Sequence, residues 1–222
     1  AGRNVVICQK ELSDAEAVPD DAEIIIIAAP SSDITEREAD KLNAYLDKGG
    51  SISVMLSPNG GEFDYDNLQK VIDPFCLEFD YNYIRETDSE FHISGDDTTI
   101  MCTLAEQEEG SALYADMQSL IESDFITYMP KSRSFAIDSD NSNVNSVETG
   151  TLMVTSVNAV GEPYGGTYDS DPLEGYELQL AVYSEDKNRN NAKVTLFGNA
   201  EFIDDEHIQD VSYLSSYYVY LS

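Results

Sequence analysis

The chain has 222 residues, of which 43 are acidic and 12 are basic, and its formal net charge is −31. This charge argues against binding to nucleic acid or to anionic lipid, because both need clustered lysine and arginine. Hydrophobic residues make up 41% of the sequence, enough for a packed core. No apolar run approaches the roughly 20 residues that span a bilayer, so we expect one large soluble domain or two small ones.

The cysteines and the two ends of the sequence carry further expectations. Cys8, Cys76 and Cys102 are odd in number and far apart. A disulfide framework needs an even set and a zinc site needs paired spacings, so we expect buried thiols instead. No signal-peptide pattern opens the sequence, and the tyrosine-rich residues 213–221 end it without a polar tail. These ends predict an excised piece of a longer chain.

Two apolar runs near the start of the chain predict buried strands, at residues 5–8 and 24–29. The second run is continuous rather than alternating and is rich in isoleucine. Continuous apolarity is typical of a parallel strand that is covered on both faces. We therefore expect helices above and below this strand.

A helix and another strand follow. Thr35 and Glu38 have the capping-box spacing that starts a helix, and Gly49 with Gly50 is a typical helix end. Residues 51–56 then form a further apolar run. The pattern predicts a β-α-β unit over residues 24–56, whose two strands run parallel in one sheet.

The remaining sequence predicts a mixture of elements. A second helix is expected over residues 65–72 and an alternating strand over residues 79–84. Between residues 91 and 137, short strand patterns are separated by acidic turns, which is typical of an antiparallel insertion. Three apolar strand patterns then return, at residues 152–157, 176–183 and 193–197.

Together these patterns predict an α/β fold. We expect a Rossmann- or flavodoxin-like, mostly parallel sheet flanked by helices, with a β-rich antiparallel insertion. Residues 1–90 are predicted to form the first part of the parallel core. Residues 91–150 form the insertion or subdomain, and residues 151–222 return to the core.

Motifs for catalysis or metal binding are weak in this sequence. Residues 138–149 match only the opening of a calcium loop, because Asn143 and Thr149 replace the expected glycine and bidentate glutamate. Residues 201–207 place four carboxylates near His207, but without the H-E-x-x-H arrangement of zinc enzymes. No nucleophile elbow or phosphate-binding glycine loop follows a predicted strand. We therefore expect no catalytic residue, no metal and no cofactor.

A group of small polar residues is placed at one edge of the predicted sheet. In open α/β sheets, ligands bind beyond the carboxyl ends of the strands, where the strand order reverses. These residues suit hydrogen bonding to a small molecule or a glycan, and they suit ordinary turns equally well. The residues predicted to line this cleft are Ser31, Ser57, Asn59, Asn199 and Glu201.

Four segments carry a family resemblance. Residues 18–30 resemble a "P-x-D-A-D-hydrophobic-P" signature, and residues 45–58 resemble a "Y-hydrophobic-x-x-G-G-x-hydrophobic-L-x-D-P" signature. Residues 152–156 and 193–203 are similar to two later strand motifs, "L-L-x-T-S" and "R-V-V-V-F-G-D-S-D-F". In this order the motifs resemble those of the GldG-like extracytoplasmic domain, a gliding-motility-type auxiliary component of ABC transporters. Ser57, Asn199 and Glu201 depart from it, because the family has aspartates there.

The resemblance implies a function without catalysis. It implies a bacterial extracytoplasmic domain that is anchored to the membrane through a segment outside this sequence. Its partners would be an ABC permease and an ATPase, and it would act by partner contact or substrate capture. One alternative is a cell-surface carbohydrate- or peptide-binding module that uses the tyrosines of residues 161–175. Another is a divergent amidotransferase-like hydrolase, although the nucleophilic cysteine expected after a central strand is missing.

Overall fold

The computed structural model describes residues 12–107, 109, 114–122, 127–168 and 170–203. The strand predicted at residues 5–8, together with Cys8 and His207, lies outside the described residues. Three α-helices are present in the described part: α1 (Glu36–Leu46), α2 (Asp66–Ile72) and α3 (Tyr114–Ile121). The strands are β1 (Ile24–Ala28), β2 (Ser51–Met55), β3 (Leu77–Phe79), β4 (Asn82–Glu86), β5 (His92–Ile93), β6 (Asp96–Leu104), β7 (Thr127–Pro130), β8 (Phe135–Ile137), β9 (Val147–Val154), β10 (Ala159–Pro163), β11 (Gln179–Asp186) and β12 (Ala192–Phe197).

The predicted β-α-β unit is confirmed. Strands β1 and β2 pair in parallel, with Ile24 opposite Ser51. Helix α1 begins at a complete capping box, in which the Glu38 amide donates to Thr35 Oγ1 at 3.3 Å and the Thr35 amide donates to the Glu38 carboxylate at 2.8 Å. These bonds from Thr35 hold the pKa of Glu38 below its usual value. The helix ends at Leu46, and the turn that follows contains Gly49, whose φ of 90° suits glycine.

The prediction of a mostly parallel, Rossmann-like sheet is wrong. The main sheet runs in the order β1-β2-β12-β11-β9-β6-β5, and only β1, β2 and β12 pair in parallel. Strands β12, β11, β9 and β6 pair antiparallel, and the sheet curls into a half-barrel. The physical reason lies in the connections: β11 ends at Asp186 and β12 begins at Ala192. So short a link can join only antiparallel neighbours, whereas a parallel crossover needs a dozen or more residues.

Helices cover one face of the parallel strands, and this layer forms the first core. Leu42 and Leu46 of α1 pack with Leu68 and Ile72 of α2 against Val194 of β12, and all five side chains are buried. Their spacing along each helix places them on one side, so the sheet and the two helices bury a common apolar layer.

Strands, rather than helices, supply much of the second core. Met55 and Phe197 from the main sheet pack with Ile84 of β4, Met129 of β7 and Ala159 of β10. Strands β4 and β10 form a separate two-stranded antiparallel sheet. The prediction of helices on both faces fails because an apolar strand can cover a sheet face as well as a helix can.

The isoleucine strand β1 was predicted to be covered on both faces, but only one of its faces is packed against a core. Ile25 and Ile27 pack against the first core, but Ile24 and Ile26 are 52% and 50% exposed. A run of identical residues has no alternation, so the sequence cannot show which face meets the core.

The antiparallel character predicted for residues 91–137 is confirmed, because β6 pairs antiparallel with β5, β7 and β9. The division into segments 1–90, 91–150 and 151–222 stays a prediction. Across the part of the chain that the structure describes, no helix is both long enough and apolar enough to cross a bilayer.

Candidate functional site

The carboxyl ends of the three parallel strands lie side by side. Met55, the last residue of β2, has Ala28 of β1 opposite it on one side and Phe197 of β12 on the other. The turns that carry Ser31, Ser57 and Asn199 therefore leave the sheet at one edge, which is the edge where we expected a cleft.

Three of the five predicted cleft residues are brought together there. The Ser57 hydroxyl accepts a hydrogen bond from the Ala200 amide at 3.4 Å. The Asn199 side chain is fully buried; it donates to the Lys131 carbonyl at 3.1 Å and accepts from the Glu201 amide. The Glu201 carboxylate lies 3.6 Å from the Lys131 ammonium, in a partly exposed ion pair.

The other two predicted residues lie apart from this group. Asn59 builds its own loop, because its side chain donates to the Phe63 carbonyl at 2.7 Å and accepts from the Gly61 amide at 3.1 Å. Ser31 is exposed in the turn after β1. Among the described residues, no hydrogen bond or ion pair joins Ser31 to Ser57, Asn199 or Glu201.

The hydrogen bonds at this edge mainly hold turns. Asn199, Ser57 and Asn59 all use side-chain atoms to bind backbone groups, which is the usual role of such residues between strands. Gly198 is also fixed by packing, because a Cβ there would lie 2.2 Å from the Arg133 carbonyl oxygen. A ligand-binding cleft at these five residues stays a prediction.

A buried arginine lies beside this edge and is the main feature that the sequence did not reveal. Arg133 is fully buried, and its Nε and one terminal nitrogen donate to the Asp80 carbonyl oxygen, Nε at 2.8 Å. Its other terminal nitrogen has no hydrogen-bond partner among the described residues. The only signal for it was a single arginine among serines in the link between β7 and β8.

Aromatic rings enclose the Arg133 guanidinium. Its central carbon lies 4.8 Å from the ring centre of Tyr81, 5.5 Å from Tyr65, and 5.9 Å from both Phe79 and Tyr164. The faces of aromatic rings attract cations, so this arrangement compensates in part for the lost hydration of the guanidinium.

Two tyrosines of the loop at residues 161–175 extend this aromatic cluster to the surface. Tyr168 stacks on Tyr81 with ring centres 4.5 Å apart, and Tyr164 packs at 4.7 Å against Tyr83. The Tyr164 hydroxyl accepts from the Asn59 amide at 3.2 Å, and burial raises the pKa of Tyr164 to about 12. The loop thus sits on the turn after β2, and Tyr83 remains 46% exposed.

The acidic segments show no metal geometry in the part of the chain that is described. No group of three or more histidine, cysteine or acidic side chains is placed to hold an ion there. In the supposed calcium loop, Asp138 accepts from the Asp140 amide at 3.0 Å, and Asn141 accepts from the Asn143 amide at 3.0 Å. These are ordinary turn contacts. Most of the acidic run at residues 201–207 lies outside the described residues.

The cysteines in the described part are free thiols. Cys76 is buried and Cys102 is half-buried, and burial raises the pKa of both. Thiols with a raised pKa are poor nucleophiles, because the thiolate is the reactive form.

Comparisons with known proteins found one matching family model and similar solved structures. A family model described as the IFT52 GIFT domain matches residues 3–88, which include the β-α-β unit. Among solved structures, the mouse IFT52 N-terminal domain ("mmIFT52 N-terminal domain") is similar in fold, with a TM-score of 0.59 and 15% sequence identity. The similarity covers 90% of this chain and 75% of that one. No curated protein sequence matches the chain.

These findings correct the functional expectations. The GldG-like assignment is wrong, because the matching model and the matching structure are both of IFT52, an intraflagellar transport protein. The ABC permease and ATPase partners, the gliding-motility role and the bacterial, membrane-anchored location fall with it. The alternatives of a cell-surface binding module and a hydrolase are likewise not supported. The motifs behind the resemblance describe a strand-helix-strand unit and two later strands, and such elements recur in proteins of unrelated function.

Proposed function

We propose that this chain is a GIFT-type domain of an IFT52-like subunit of the intraflagellar transport complex. It acts there by binding partner proteins and catalyses no reaction. The observation that carries the proposal is the structural similarity to the mouse IFT52 N-terminal domain over 90% of the chain. The family model supports it independently, because it matches residues 3–88 from sequence.

The chemistry of the described residues is consistent with a binding role. The polar side chains at the carboxyl ends of the strands hold turns, and Arg133 is enclosed by rings rather than aimed at a cleft. The net charge of −31 favours association with basic protein surfaces, because complementary charge steers and orients partners. Such contacts suit a subunit within a protein assembly.

Affinity purification from ciliated cells tests this function. A tagged form of the chain should enrich subunits of the intraflagellar transport complex well above the level obtained with the tag alone. Leu42→Asp provides the matched control, because Leu42 is fully buried in the first core and a charge there should unfold the domain. The proposal is wrong if the folded chain enriches no transport subunit, or if it enriches no more than Leu42→Asp.

A further inference from the structure

The surface of the aromatic cluster is a candidate protein-binding site that the proposed function does not specify. We define the tyrosine patch as Tyr81, Tyr83, Tyr164 and Tyr168. Their rings form one connected group at the turn after β2, with Tyr81, Tyr164 and Tyr168 packed on one another at 4.5 to 6.3 Å. Tyr83 joins this group through Tyr164 and is its most exposed ring.

The inner rings of the tyrosine patch are held by hydrogen bonds, and its outer ring, Tyr83, is exposed to solvent. The Tyr164 hydroxyl accepts a hydrogen bond from the Asn59 amide. The Tyr81 hydroxyl accepts one at 2.9 Å from the amide of Tyr65, the residue before α2. Gly60 and Gly61 lie beside the patch, where a Cβ on Gly60 would stand 2.7 Å from the Tyr83 hydroxyl. The Tyr83 ring therefore packs against Tyr164, and the Gly60 backbone lies close to its hydroxyl. Fixed tyrosines of this kind give large contact area with little loss of conformational entropy.

Charge around the patch selects the partner. Asp64 and Asp66 are exposed and flank Tyr65, whose amide donates a hydrogen bond to the Tyr81 hydroxyl, and Glu62 is exposed in the same turn. Arg85, which follows Tyr83 by two residues on β4, is already paired with Glu162 and with Asp97 at 3.5 Å. An acidic rim around exposed tyrosine rings attracts cationic side chains, which also bind ring faces directly.

We infer that the tyrosine patch docks an arginine-containing segment of a partner protein, with an arginine over the Tyr83 ring and further cations toward the rim at residues 62–66. The inference rests on the proposed function, since it names the surface by which the domain would contact a subunit of the complex. Arginine fits better than lysine, because its planar guanidinium stacks on rings as well as pairing with carboxylates. A guanidinium already sits among the inner rings of the same cluster, at Arg133.

A peptide-binding measurement tests this inference in solution. The probe is a fluorescein-labelled 12-residue peptide of alternating arginine and glycine, titrated with the purified chain and followed by fluorescence anisotropy. Tyr83→Ala should weaken binding about 2- to 5-fold, since an exposed cation–ring contact contributes about 0.5 to 1 kcal/mol. Tyr83→Phe keeps the ring face and should bind like the unaltered chain.

Tyr176→Ala is the matched control, because Tyr176 is 50% exposed and lies outside the patch. It should leave the affinity unchanged, as both alanine variants alter neither net charge nor a fully buried side chain. Melting curves establish that each variant is folded. Three results would overturn the inference: no binding by the unaltered chain, equal loss in both alanine variants, or equal binding of a glutamate–glycine peptide.

Occupation of the patch by a second copy of the chain would also contradict the inference. Light scattering distinguishes this case, because the unaltered chain would then be a dimer that Tyr83→Ala converts to monomer. The proposed function is tested separately by the affinity purification. If the chain enriches transport subunits while Tyr83→Ala and Tyr176→Ala bind the peptide alike, only the inference about the patch is wrong.

Discussion

Arg133 shows how one residue can organise a region of this fold. It is fully buried, forms no ion pair with any residue that the structure describes, and connects three interstrand segments by direct contacts. Its side chain donates to the Asp80 carbonyl and contacts the rings of Tyr81 and Tyr164. Its backbone amide donates to the Gly198 carbonyl at 3.1 Å. A buried charge is normally costly, so its presence here indicates that these contacts compensate for the lost hydration.

Replacing this side chain tests its structural role. Arg133→Met keeps much of the volume but removes both donors to the Asp80 carbonyl and the cation–ring contacts. The free energy of unfolding should fall by about 2 kcal/mol, which is typical for losing a hydrogen bond to a charged group. Chemical denaturation monitored by circular dichroism measures this.

Lys131→Met is the control for the arginine variant. Lys131 lies two residues away, but its side chain is 67% exposed and its ion pair with Glu201 is at the surface. Exposed pairs contribute little, so stability should change by less than about 0.5 kcal/mol. Equal stability of Arg133→Met and the unaltered chain would show that the buried charge contributes nothing to the fold.

At the scale of elements, local signals predict structure well and long-range ones do not. Helix α1 could be located from Thr35, Glu38 and Gly49, because caps act within a few residues of the helix end. The pairing of β1 with β2 followed from the helix between them. The antiparallel pairing of β9 with β11 could not be predicted, since its partners are brought together only by the whole fold.

The candidate site shows the same limit. The location of Ser57, Asn199 and Glu201 at one edge follows from strands β2 and β12, which run in the same direction, whereas ligand binding there stays a prediction. It could not join Tyr81 to Tyr168, which lie far apart in sequence and meet through the two-stranded sheet of β4 and β10. The burial of Arg133 could not be predicted, because it depends on four aromatic rings supplied by three other segments of the chain.

The capping box of α1 offers a prediction at this scale. Thr35→Ala removes the hydroxyl that accepts from the Glu38 amide and should lower the free energy of unfolding by about 1 kcal/mol. Thr35→Ser retains the hydroxyl and should stay within a few tenths of a kcal/mol of the unaltered chain. The same denaturation measurement compares the two. If serine and alanine destabilise equally, the hydroxyl is not what starts the helix.

The whole molecule combines a parallel β-α-β unit with a curled antiparallel sheet, and its two cores share the central strands. This combination is similar in fold to the mouse IFT52 N-terminal domain. The strongly negative charge keeps such a domain soluble and favours basic partners. At this scale the central proposal is that the domain works inside an intraflagellar transport assembly.

Imaging in living ciliated cells tests that claim most directly. A fluorescent fusion of the chain should concentrate in cilia and move along them as discrete particles, while the core variant Leu42→Asp should stay diffuse. The proposal would be contradicted if the folded fusion entered cilia no more than the fluorescent protein alone and showed no moving particles.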